Sequence, residues 1–168
     1  ALILLNGFKM NDVQTGHHNM NLPVDIESIE RIEIVQGPGN RVFGINSYSG
    51  AINFITSSEE AKKLKLHIYG GQNNFLGGSA SINYNNKNWF NYLAVSGKKS
   101  DGYLKDDSIN NTDFEIINLF YESKIKTHLA DIIIQAGYSD KSFGANSFYT
   151  PRYPWQYENT KTIYAGYK

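Results

Sequence analysis

The 168-residue chain has no cysteine, which excludes a disulfide framework, thiolate chemistry and any cysteine-held metal, while leaving the redox compartment open. It has no net charge either. Its 16 basic side chains balance 16 acidic ones, so no long-range field draws it to nucleic acid or to an anionic lipid surface. Long apolar runs are also missing: the longest, residues 1–5 and 132–134, fall far short of the roughly 18 that a membrane-spanning helix needs. If the chain crosses a membrane, it does so as strands. No initiator methionine and no charged segment leading into an apolar one opens the sequence, so it reads as an internal piece of a longer protein. Catalytic sets are lacking too, with no Ser-His-Asp spacing and no carboxylate pair in an apolar setting.

What the chain does have is 12 Tyr, 9 Phe and 2 Trp, or 14% aromatics, together with 15 Gly. That composition fits strands joined by turns. The mean hydropathy of −0.44 fits as well, because a barrel hides its apolar residues on alternate positions.

The most specific stretch is residues 29–56, IERIEIVQGPGNRVFGINSYSGAINFIT. Ile32 and Ile34 alternate with Arg31 and Glu33, the period of a half-buried strand, which Gln36-Gly37-Pro38-Gly39 then stops. A second strand is expected over residues 51–56. Between them Gly37, Gly39, Gly44 and Gly50 supply positive φ or close backbone approach, and Pro38 pushes Gly37 away from helical geometry. A phosphate-cradling loop is excluded, because no Lys-Ser or Lys-Thr follows at the required spacing.

These residues resemble the end of the plug domain of TonB-dependent outer-membrane receptors, a pattern of ER-I-E-V-x-R-G-P, then L-Y-G-S, then G-G-V-I-N-I-I-T. Gln36 stands where the family often has Arg, Val42-Phe43-Gly44 stands for Leu-Tyr-Gly, and Ser49-Gly50 replaces Gly-Gly. The resemblance implies an α+β plug fragment over residues 1–58, followed over 59–168 by antiparallel transmembrane β-barrel strands. About six strands cannot close a lumen that in large plugged transporters takes about 22, so the barrel here is incomplete.

Within the plug part, residues 1–5 suit a central strand buried on both faces, ending in a tight turn at Asn6-Gly7. Residues 8–22 read as a polar loop, which the resemblance turns toward the ligand through Asn11, Gln14, Thr15, His17, His18 and Asn19. Adjacent histidines on an irregular loop, with no carboxylate spacing to complete a site, do not make a metal centre. They are loop-tip hydrogen-bonding groups or ligand contacts. A short helical turn is expected over residues 23–28. Arg31 and Glu33 lie on a solvated strand face or, as the resemblance implies, form ion pairs between plug and barrel wall.

Beyond a charged linker over residues 57–63, six strand patterns follow. Leu64, Leu66 and Ile68 alternate with Lys65, His67 and Tyr69, and Ala80, Ile82 and Tyr84 with serines and Asn83. Residues 89–97 and 113–123 carry apolar groups on both faces and leave their facing open. In the fifth, Ala130, Ile132, Ile134, Ala136 and Tyr138 form one apolar, lipid-facing side; the sixth covers residues 160–168. Short links at 85–88 and 124–128 alternate with long ones at 98–112 and 140–159, with 71–77 on the long side's parity. The first, third and fifth strands should therefore run outward. In the loop at 142–157, Phe148, Tyr149, Tyr153 and Trp155 form either a recognition surface or an interfacial aromatic belt.

The function that the resemblance implies is non-enzymatic: active uptake of a large, scarce nutrient across the outer membrane of a Gram-negative bacterium. A TonB energy-transducing complex would act through a segment outside this chain, and no resident cofactor or metal is needed. The runs QTGHHNMNLPVDIESIERIE and FGANSFY look most similar to cobalamin-type receptors. An iron-siderophore ligand is the alternative, and a passive barrel or adhesin a third reading that the plug pattern disfavours.

Overall fold

The computed structural model describes residues 1–12, 18, 20–39, 43–44, 47–56, 63–103, 111–146, 148–150, 152–153 and 155–168. They form two sheets that face each other. The first is a mixed four-stranded sheet ordered β2-β1-β4-β3, from β1 (Leu2–Leu5), β2 (Phe8–Lys9), β3 (Ile29–Gln36) and β4 (Gly50–Thr56). As its unbroken apolar run requires, β1 lies inside the sheet, antiparallel to β2 and parallel to β4. All four of its side chains are buried. Asn6 and Gly7, both at positive φ, make the tight turn into β2. The helical turn expected before β3 is a 3₁₀ turn at Ile26–Ser28.

β3 has the expected period but not the expected burial. It is the edge strand, and Ile32 and Ile34 are 54% and 67% exposed, because alternation fixes which side chains share a face and not what covers that face. Gly50 is where the backbone leaves no choice. Its φ is +119°, and a Cβ there would lie 2.3 Å from the Val35 carbonyl oxygen. Gly37, at φ +82°, has nothing within 4 Å of the same added carbon, so only its conformation constrains it.

The second sheet is a six-stranded meander, every strand antiparallel to the next: β5 (Lys63–Gly70), β6 (Leu76–Asn86), β7 (Trp89–Ser100), β8 (Phe114–Lys126), β9 (Asp131–Gly144) and β10 (Tyr157–Tyr167). The short links, 87–88 and 127–130, share one end, and the longer links, 71–75, 101–113 and 145–156, share the other. The aromatic loop is shorter than expected. β9 and β10 continue to the pair Gly144↔Tyr157, absorbing residues 142–144 and 157. Outward positions there include Asp140 and Ser142, so the apolar alternation that marks a strand in sequence had already stopped.

Register settles the facing of the third and fourth strands. Leu93, Val95, Leu119 and Tyr121 face outward with Ile134, while Tyr92, Ala94, Asn118, Phe120 and Glu122 face the plug sheet. Both faces read as apolar because Tyr92, Ala94 and Phe120 pack on Ile3, Leu5, Val24 and Phe54 to form the core between the sheets. Each fully buried aliphatic or aromatic side chain there contributes about 1.5–3 kcal/mol. Leu2, Leu4 and Ala51 form a second small cluster with Phe43. Among the described residues no helix is long and apolar enough to cross a membrane. The 57–63 linker and the boundary at 58/59 lie outside the described residues except for Lys63, which opens β5.

Candidate functional site

The first sheet, in the part that resembles a plug (the plug sheet), and the six-stranded second sheet (the wall) meet through polar contacts as well as the core. The Asn6 side chain, held by the β1–β2 turn, donates to the Glu122 carboxylate at 2.6 Å and accepts from the Thr56 backbone N–H at 2.8 Å. Gln135 donates to the same carboxylate at 3.1 Å. Asp25 accepts from the Tyr69 hydroxyl at 3.4 Å, and Glu27 lies 3.8 Å from His67. These bonds orient the plug sheet against the wall. Arg31 and Glu33 do not contribute among the described residues: two apart on one strand, they share a face and pair with each other at 3.0 Å. Glu33 also accepts from Asn53 at 3.0 Å.

At the long-link end lies a cluster around His18, which is only 8% exposed. Its Nε2 is 2.6 Å from the Tyr149 hydroxyl and 3.2 Å from Glu158 Oε1. Nδ1 lies 3.4 Å from the Lys141 ammonium. An ammonium can only donate, so Nδ1 is the acceptor and Nε2 carries the proton. The ring stacks on Phe148 at 5.8 Å and meets Phe143 and Tyr149 edge-on. Tyr149 in turn donates to Glu158 Oε2, and Thr160 donates to Oε1 at 3.0 Å. Burial of its hydroxyl, then the hydrogen bond to Glu158 and the nearby carboxylate charges, push Tyr149 up to about 12.

Of the residues expected to touch ligand, the structure thus brings together His18, Phe148 and Tyr149. Asn11 lines a neighbouring cavity of about 330 Å³ with His18, Lys141, Thr160 and Thr162. Tyr153 and Trp155 stand apart, largely exposed and edge-to-face with one another at 5.7 Å. Gln14, Thr15, His17 and Asn19 lie outside the described residues. Sequence reasoning missed Lys141, Phe143, Glu158 and Thr160. Their inward facing follows from the extended β9–β10 register, which no alternation of apolar residues announces. The glycine turn holds together through Gly39, whose N–H donates to Ser47 at 2.8 Å, and through Ser47, which donates to the Gly44 carbonyl. Among the described residues no group of three His, Asp or Glu could hold a metal ion.

Comparison with known proteins is consistent with this geometry. Residues 1–51 match the model of the TonB-dependent Receptor Plug Domain. The vitamin B12 transporter BtuB of Vibrio vulnificus is 37% identical over 63 residues, which is 38% of this chain and 10% of that protein. The vitamin B12 transporter BtuB of Photobacterium profundum is 23% identical over 146 residues, or 83% of this chain and 24% of that one. The siderophore receptor PiuA of Acinetobacter baumannii shares the fold with a TM-score of 0.64 at 14% identity, over 85% of this chain and 19% of that one. The chain therefore spans no more than about a quarter of the length of these two curated relatives.

Proposed function

We propose that this chain is part of a TonB-dependent receptor that in its full length imports cobalamin across a Gram-negative outer membrane, a reading supported by the plug-domain match over residues 1–51 and by the curated relatives. Residues 1–58 form the end of its plug and 59–168 the first barrel strands. The observation that carries this reading is the cluster at the long-link end, where the plug loop at His18 is packed directly against the wall and the aromatic loop through Phe148, Tyr149 and Glu158. Ligand that lands there touches plug, wall and loop at once. Energy delivered by TonB through a segment outside this chain then displaces a plug held to the wall by a small apolar core and a few hydrogen bonds.

Cobalamin is favoured because both relatives named above are vitamin B12 transporters. A corrin periphery carries amides, which suit Asn11 and the polar plug loop, around an apolar body that suits Phe148. An iron-siderophore is the second reading, favoured by two lysines, Lys98 and Lys141, that line the same space.

The test is complementation of a strain without its own cobalamin receptor by the full-length gene, followed by radiolabelled cyanocobalamin uptake with and without the TonB complex. TonB-dependent accumulation is expected. Growth on a ferric siderophore without cobalamin uptake selects the second reading, and failure of both ends the proposal.

A further inference from the structure

Between the plug loop and the long-link ends of β7, β8 and β9 lies a cavity of about 410 Å³, lined by Lys98, Phe114, Ile116, Lys141, Phe143 and Phe148. The same two lysines border a second cavity of about 370 Å³ that runs under the plug loop to Val24 and Asp25. Among the described residues no carboxylate lines the first cavity. Lys141 is engaged there, donating to His18 and lying 4.7 Å over the Phe143 ring. Lys98 is different. It occupies an inward position of β7, opposite Ile116, and is half-buried with no hydrogen bond or ion pair among the described residues.

A half-buried ammonium facing an aromatic chamber has lost part of its hydration, and among the described residues no carboxylate lines the chamber to offset that loss, so an anion there would complete the site. Charge-assisted hydrogen bonds to that anion, made beside apolar walls, are stronger than the same bonds in water. The Phe rings can cover the planar or apolar surface next to the charge.

We propose that this chamber recognises the anionic part of the ligand: Lys98 and Lys141 hold anionic oxygens while Phe114, Phe143 and Phe148 cover the adjoining surface. Two ligand chemistries supply such oxygens, the phosphodiester of a cobalamin and the donor oxygens of an anionic ferric chelate. The identity of the ligand rests on the uptake reading above, but the anion preference does not.

Calorimetry on the full-length receptor separates the two. Naphthalene-1,5-disulfonate, an aromatic dianion unrelated to uptake, serves as the first probe. It should bind wild type in a salt-sensitive way, bind Lys98→Gln weaker by about tenfold, the scale of one charge-assisted hydrogen bond, and recover in Lys98→Arg. Absence of binding, or equal binding to wild type and Lys98→Gln, overturns the proposal. The second set of probes is cyanocobalamin, dicyanocobinamide, which lacks the phosphodiester, and a ferric tricatecholate. A preference for cyanocobalamin over cobinamide that disappears in Lys98→Gln assigns the phosphodiester, and a Lys98-dependent loss of the tricatecholate assigns the chelate. If the disulfonate behaves as expected while none of these binds, the anion site stands and the uptake reading falls.

Discussion

Tyr149 shows how much one hydroxyl can join. It lies on the link between β9 and β10, accepts from His18 of the plug loop and donates to Glu158 of the wall, so loop, plug and wall meet at one oxygen. Its phenol is raised to about 12, first by burial and then by the hydrogen bond to Glu158. A raised folded-state value means that the neutral form is the one favoured by folding. The contribution is complete below the ordinary tyrosine value near 10 and is lost as pH climbs through the folded value. Loop closure on His18 should thus hold from neutrality to about pH 10 and weaken between about 10 and 12. An ultraviolet tyrosinate titration checks this: Tyr149→Phe should remove a phenol that titrates late, and removal of one that titrates near 10 would refute the assignment.

At the scale of elements, the glycines of the plug turn are not equivalent. Gly50→Ala forces a Cβ onto the Val35 carbonyl at the pairing of β3 with β4, whereas Gly37→Ala meets open space and carries only the cost of left-handed geometry, about 1–2 kcal/mol. Gly50→Ala should leave a surface-exposed receptor with strongly impaired uptake, and Gly37→Ala should remain close to wild type in the same labelled-cobalamin assay. Equal impairment would count against the steric account. In β9, Ile134 is exposed on the outward face, so Ile134→Arg near the bilayer midplane should cost about 2–4 kcal/mol in a folding titration into lipid. Alternation alone would make the next residue a tolerant control, yet Gln135 is 0% exposed and donates to Glu122. Thr162, exposed and beside the inner cavity, is the better one: Thr162→Arg should cost far less than Ile134→Arg.

Across the whole molecule, two sheets of opposite design are held together by a small core and a few buried polar bonds. The wall is a consecutive antiparallel meander whose inner face is apolar where the plug sheet packs on it and again at the long-link end, at Phe114, Ile116 and Phe143. The bond from Asn6 to Glu122 ties the turn of the plug's central hairpin to a buried carboxylate of β8. Asn6→Gly keeps the left-handed turn while removing that bond and the acceptor of the Thr56 N–H. Leaving the carboxylate with fewer donors should cost about 1–3 kcal/mol and raise amide exchange in β1 and β4 without unfolding β5–β10. Unchanged exchange in the plug strands would show that neither Glu122 nor Thr56 depends on Asn6.

Much of this architecture is legible from residue order alone. The unbroken apolar run of β1, the Asn6-Gly7 turn, the glycine turn before β4, the strand periods of β5, β6 and β9 and the alternation of short and long links all follow from local preference and period-two burial, which act over a few residues. The outward facing of Ile134 follows in the same way. What covers each face does not, because it depends on partners distant in sequence: β3 carries the right period and stays exposed, while Tyr92 and Phe120 are buried on a wall face because Ile3, Val24 and Phe54 arrive there. The candidate site divides along the same line. His18, Phe148 and Tyr149 could be named from loop composition, whereas Lys98, Lys141, Phe143 and Glu158 became neighbours only through strand register, which cross-strand pairing decides and side-chain periodicity does not announce once the apolar alternation ends.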